Sequence, residues 1–142
     1  MGDVLLVILS YFIGAIPFSY IIGRVFAGID LREKGSGNVG ATNAMRNMGI
    51  GLGLASLAGD LLKGVLAAWL GLHYGGETLA AFCGAMAAFA HCYTIFLGFR
   101  GGKAVATSAG VVLMLMPRVL VVLFFLLVII VVITRYVSLG SV

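Results

Sequence analysis

Charge is the commodity this sequence has least of. Only 10% of its 142 residues are charged and only five of those are acidic, whereas an ordinary soluble domain is about a quarter charged. That shortage excludes a water-soluble globular domain. Cysteine is scarce as well: Cys83 and Cys92 lie nine positions apart on one predicted helix, which places them on opposite faces and excludes a bridge within it. Both read as packing residues. No HExxH, CxxC or paired-carboxylate pattern occurs, so neither a metal site nor a cofactor is expected. The start, Met1-Gly2-Asp3, has no basic stretch ahead of its apolar run, which reads as a retained span rather than a cleaved signal.

What is abundant is apolar surface. Hydrophobic residues make up 62% of the sequence and the mean hydropathy is +1.18, the composition of an integral membrane protein. A hydrocarbon core about 30 Å thick takes roughly 20 apolar residues per helix, so about four or five short spans fit, with no room for a soluble domain. The expected fold is an all-α, polytopic membrane helix bundle forming one domain over residues 1–142, with two glycine-rich loops on its cytoplasmic side. The net charge of +4 is scattered over the loops, where it sets topology and does not form a nucleic-acid surface.

Taken in order, Val4 to Ile22 is the first span, interrupted by Gly14 and Pro17, breakers that a membrane helix tolerates when neighbours satisfy the freed backbone groups. Arg24 to Met48 is the most basic loop, which the positive-inside rule assigns to the cytoplasm. Within it, Asn38 to Asn47 reads as a short helix capped by Asn38 and ended by Gly49. Gly49, Gly51 and Gly53 open a second span running to about Leu72, with close helix packing as their expected use. His73, Tyr74 and Glu77 form a tight outer turn, Thr78 to Leu97 returns, and Phe99 to Lys103 is the second cytoplasmic loop. Val105 to Val132 reads as two short helices turning at Pro117, with one kinked span as the rival; Arg135 then ends inside, and the chain stops at Ser138 to Val142.

Candidate chemistry concentrates in three places. Gly35-Ser36-Gly37-Asn38-Val39-Gly40-Ala41-Thr42-Asn43 is a backbone able to turn its N–H groups toward an oxyanion, with Arg46 one turn further on. Its Gly35-x-Gly37-x-x-Gly40 spacing, with Asp60 downstream, imitates a dinucleotide fingerprint, but no strand precedes it and Asp60 lies inside an apolar span. A P-loop fails because no Lys-Ser or Lys-Thr follows. Asp60 and Lys63, at i and i+3 inside a span, are costly there; they either pair with each other or face a polar cavity that touches substrate. Arg100-Gly101-Gly102-Lys103, followed by Thr107, offers two cations and glycine N–H donors to a second phosphate. His91, near the cytoplasmic end of its span, reads equally as a structural or a catalytic residue. A small organic-phosphate transporter would use the same loops without turnover, and that alternative stays open at this point.

These stretches resemble the PlsY-type acyl-phosphate:glycerol-3-phosphate acyltransferases of bacterial membranes. The resemblance rests on Gly35 to Asn43 read as GSGNxGATN, on Asp60-x-x-Lys63-Gly64, and on the run from Ala90 and His91 through Lys103 to Thr107. It implies a multi-pass enzyme of the bacterial plasma membrane, facing the cytoplasm, that moves an acyl group from acyl phosphate to the 1-hydroxyl of glycerol 3-phosphate beside membrane lipid, giving lysophosphatidate and phosphate. By position, Ser36, Arg46 and Lys103 match the family's catalytic residues. Gly35, Gly37, Asn38, Gly40, Thr42, Asn43, Asp60, Lys63, His91, Arg100, Gly101, Gly102 and Thr107 fall where substrate would be held. Family members usually have Gly where this sequence has Ala90 and Ala104, and Pro where it has Thr94; the Ala104 methyl is expected to crowd a bound phosphate. They also run about fifty residues further, to a third motif, HRxNI, that is absent here, so the resemblance implies a truncated chain or an inactive relative as the alternative to a working enzyme.

Overall fold

The structure, a computed structural model, describes residues 2–134. Arg135 and the stretch from Ser138 to Val142, assigned above to the inner side and the chain end, lie outside the described residues. Helix α1 is Gly2–Ala15, α2 is Phe18–Ile22 and runs on through one wide turn, Gly23–Ala27. A tight turn, Leu31–Glu33, precedes α3 (Ala41–Met48), the 43-residue α4 (Ile50–Cys92), α5 (Val105–Leu115) and α6 (Pro117–Thr134). Three stretches, Gly2–Ala27, Ile50–Leu97 and Pro117–Thr134, are long and apolar enough to cross a membrane, and the fold is an all-helical membrane bundle.

Pro17 splits the first span because its ring cannot supply the N–H that would continue the helix. The freed carbonyls are taken by other elements: Thr94 Oγ1 donates to the Ala15 oxygen at 2.6 Å and Lys63 Nζ to the Ile16 oxygen at 2.8 Å. A proline in place of Thr94 could not make the first of these bonds.

Helix α4 is two arms, residues 50–75 and 77–92, broken at Gly76, whose φ of 75° and ψ of −168° lie outside the helical region. The arms fold back on each other so closely that a Cβ on Gly71 would sit 2.5 Å from the Ala80 Cα. The turn falls where His73, Tyr74 and Glu77 place it in the sequence, with the His73 ring stacked 5.3 Å from Trp69. Because the arms are antiparallel, residues near 50 and residues near 92 share one end of the bundle. Small residues also govern the other crossings. Gly64 lies against the Thr107 carbonyl and Gly110 against the Leu61 carbonyl, a reciprocal contact between α4 and α5, while Gly14 lies against Ala87.

Three details differ from the sequence expectation. Helix α3 begins at Ala41 with Gly40 at its cap position and no side-chain cap, so Asn38, two residues before that position, does not cap it. Of Gly49, Gly51 and Gly53, only Gly53 packs closely, against Met45; Gly51 faces open space and Gly49, at φ +85°, is the joint between α3 and α4. The break before α6 falls at Met116 (φ −141°, ψ 65°), one residue earlier than expected. The eleven residues of α5 extend about 16 Å, roughly half of a hydrocarbon core, and α6 buries none of its residues.

Candidate functional site

The glycine-rich loop is built on a staple that the sequence reading missed. Asp30 receives the Arg32 N–H at 2.9 Å, the Arg32 guanidinium Nη2 at 2.7 Å and the Arg24 Nη2 at 2.6 Å. The Arg32 hydrogen bonds, more than anything else, hold the Asp30 carboxyl well below the usual carboxylate range, and the same bonds raise Arg32. Both guanidiniums lie over the Tyr20 ring, Arg32 at 4.9 Å and Arg24 at 5.6 Å. The available signal was local: an aspartate whose side chain can accept from the N–H two residues on makes an Asx turn.

Asn43 closes the loop from within. Its amide N–H group is shared among the carbonyls of Asn38 (2.9 Å), Lys34 (3.0 Å) and Leu31 (3.3 Å). Its oxygen accepts from the Ser36 N–H at 3.2 Å and from Asn47 Nδ2 at 2.9 Å. Gly35 and Gly37 adopt φ of +57° and +70°, and a Cβ on Gly35 would run into the Asn43 oxygen. Asn43 is therefore buried and fully used in shaping the loop, a different position from the substrate-facing one expected of it. Ser36, Thr42 and Arg46 remain exposed, Thr42 and Arg46 on one face of α3 at i and i+4. The Ser36 hydroxyl accepts only a long bond, 3.5 Å, from the Asn38 N–H.

The second loop corrects another expectation. The Gly101 N–H donates to the Cys92 carbonyl at 2.8 Å and the Gly102 N–H to the His91 carbonyl at 3.1 Å. A Cβ on either glycine would collide with His91. These glycines exist for close approach to the end of α4, and their N–H groups are not free for a ligand. What the loop does present is the exposed side chains of Arg100 and Lys103 and the uncapped first turn of α5, whose N–H groups lack intrahelical partners. Ala104, just before that turn, has φ 57° and is buried. The departure from glycine is thus felt as left-handed backbone strain of about 1–2 kcal/mol, with the methyl packed inside the protein rather than against a ligand.

Beneath this loop lies a buried polar cluster. Lys63 Nζ is 2.9 Å from Asp60 Oδ1, and both side chains are 2% exposed. His91 Nδ1 is 3.4 Å from the same carboxylate and 3.3 Å from the Thr107 hydroxyl, a hydrogen bond whose direction follows the ring tautomer. Lys63 also supports the helix break at Ile16, so the pair serves helix packing. Removing one member of such a pair strands a buried charge. Asp60→Ala is accordingly expected to destabilise the bundle by about 3–5 kcal/mol, and Asp60→Leu combined with Lys63→Met by much less; thermal unfolding in detergent would show the double variant losing at least as much as the single one if the pair were not coupled.

The two loops are held at the same end of the bundle. Leu97, in the turn leading to the second loop, packs in one buried cluster with Leu31, Val39 and Ala44 around the first. Lys34, Arg46, Arg100 and Lys103 there make no ion pair among the described residues. An apolar groove of about 300 Å³ between Ile16, Tyr20, Phe96 and Leu97 opens beside them, and another of about 430 Å³ runs along α1 past Phe18, Lys63 and Trp69.

A cationic, glycine-shaped surface at the lipid boundary has a clear counterpart among known proteins: the sequence profile described as "Glycerol-3-phosphate acyltransferase" matches residues 4–142. The chain belongs to the glycerol-3-phosphate acyltransferase family. It is 50% identical to the glycerol-3-phosphate acyltransferase of Syntrophomonas wolfei over 142 residues, all of this chain and 73% of that protein. With the Bacillus subtilis protein of that name it shares 44% identity over 138 residues, 97% of this chain and 72% of the relative. Among solved structures, the fold superposes with a TM-score of 0.93 on the glycerol 3-phosphate form of PlsY (YgiH), described as an integral membrane glycerol 3-phosphate acyltransferase. The two are 39% identical over 99% of this chain and 71% of that one. The lysophosphatidic acid form gives a TM-score of 0.91 at 38% identity, covering 99% and 70%. Acyltransferase-family membership and membrane embedding thus rest on sequence and fold together.

Proposed function

We propose that this acyltransferase-family chain moves an acyl group from acyl phosphate to the 1-hydroxyl of glycerol 3-phosphate, releasing lysophosphatidate and inorganic phosphate. The two loops face the cytoplasm from the bacterial plasma membrane. The observation that carries the reading is the gathering of Arg46, Arg100 and Lys103, none of them ion-paired among the described residues, with the exposed Ser36 loop at one end of the bundle, packed through Leu97. Its likeness to a structure solved in a glycerol 3-phosphate form supports the choice of acceptor.

In this reading the Ser36 hydroxyl and the Asn38 side chain hold one phosphate and polarise the acyl carbonyl, while Arg46 and Lys103 hold the other; the Ser36 and Gly37 N–H groups are engaged within the loop, by Asn43 and the Lys34 carbonyl. The acceptor's hydroxyl oxygen bonds to the acyl carbon, the bond from that carbon to the phosphate oxygen breaks, and the departing phosphate takes the hydroxyl proton. Acyl phosphate is already activated, so charge neutralisation and orientation supply most of what the reaction needs. The groove beside Tyr20 and Phe96 offers the acyl chain an apolar lane.

Phosphate release from acyl phosphate in proteoliposomes is expected only when glycerol 3-phosphate is present, with lysophosphatidate formed in equal amount. Counterflow of glycerol 3-phosphate without turnover would replace the enzyme reading with transport. Radiolabelled acyl-enzyme that disappears in Ser36→Ala would replace direct transfer with a covalent route.

A further inference from the structure

The geometry points to His91 as the positioning residue of the Arg100–Lys103 loop, the wedge that fixes where Lys103 and the first turn of α5 stand. The inference rests on the reading of that loop as a phosphate site. His91 meets the loop three ways. Its carbonyl accepts the Gly102 N–H at 3.1 Å. Its Nε2 occupies the space where a side chain on residue 102 would begin. Its Nδ1 shares the 3.3 Å bond with Thr107, in the first turn of the helix that follows Lys103. The same Nδ1 stands 3.4 Å from Asp60 Oδ1, and Asp60 is itself paired with Lys63, which supports the break at Ile16.

The ring is only 7% exposed and sealed behind Gly102, so it does not reach a ligand on the loop's outer surface. Its influence passes through the backbone it braces. A helix start and a lysine intended for the same phosphate must be held in precise relation to each other, and the His91 side chain touches both the glycine before Lys103 and the threonine after it.

The test compares His91→Phe, which keeps a ring but no nitrogen, with His91→Asn, whose amide can replace Nδ1 toward Thr107. Thr107→Val removes the opposite partner with little change of shape and serves if the Phe variant fails to fold. Amide hydrogen exchange in detergent is expected to quicken about tenfold at Gly101 and Gly102 in His91→Phe and Thr107→Val, the change that one lost buried hydrogen bond corresponds to, and to stay near wild type in His91→Asn. In proteoliposomes the KM for glycerol 3-phosphate is expected to rise about tenfold in the same two variants with kcat nearly unchanged, and His91→Asn to recover most of it. Unchanged exchange, an Asn variant as impaired as Phe, or a fall in kcat at constant KM would each overturn the assignment. A wild-type protein without turnover would sink the proposed reaction while leaving the exchange result to decide the role of His91.

Discussion

Lys103→Ala is expected to lower kcat/KM for glycerol 3-phosphate by about 100-fold or more, the usual cost of removing one donor from a preorganised anion site. The expectation is strong because the glycines beside it cannot compensate: the N–H groups of Gly101 and Gly102 are held by Cys92 and His91. With those donors engaged, the loop's capacity for a phosphate falls on Lys103, Arg100 and the α5 N-terminus. Lys103 is exposed and makes no ion pair among the described residues, so its loss should leave the fold intact and the melting temperature near wild type. Lys103→Arg should recover part of the activity, since charge is retained and only the shape of the contact changes. Steady-state kinetics with varied glycerol 3-phosphate check both; activity within a few-fold of wild type in Lys103→Ala would remove this loop from the site.

Gly64→Val is expected to give a large loss of stability. A Cβ at position 64 would enter the Thr107 carbonyl, and a helix backbone cannot step aside as a side chain can. The same crossing is fixed from the other side by Gly110 on the Leu61 carbonyl, so separating the helices for one contact opens both. Overpacking typically costs about 1–3 kcal/mol and occasionally more, and contact with backbone places this change toward the upper end. The loss should extend to activity, because α5, which begins two residues after Lys103, would be displaced. Gly51→Ala supplies the control: nothing lies within 4 Å of a Cβ there, and replacing a helical glycine gains about 0.5–1 kcal/mol. Thermal denaturation in detergent should therefore move in opposite directions for the two substitutions, and a Gly64→Val protein as stable as wild type would contradict the close crossing.

Much of this architecture was legible from composition because a membrane imposes few solutions. Apolar length, the Pro17 interruption and the glycine turn near His73 fix the helical passes, and the closeness of Gly64 to another backbone follows from its lack of a side chain. What the sequence concealed is direction. A glycine read alone does not reveal whether its N–H faces a ligand or a carbonyl, so Gly101 and Gly102 read as donors although the chain itself uses them. Asn43 likewise reads as a polar group near an anion loop, while its five bonds inward show it to be the loop's frame. The Asp60 and Lys63 pair is visible as a costly feature, but its purpose depends on the Ile16 carbonyl, 47 residues from Lys63 in the chain. Long-range partners of this kind leave no local pattern.

The most direct test is a distance between the two loops. Cysteines introduced as Ser36→Cys and Lys103→Cys, in a background with Cys83→Ala and Cys92→Ala, should both react with an impermeant thiol reagent from the same membrane face. A short bifunctional reagent should join them. Labelling from opposite faces, or two reactive cysteines that no short reagent bridges, would contradict a single anion site shared by the two loops.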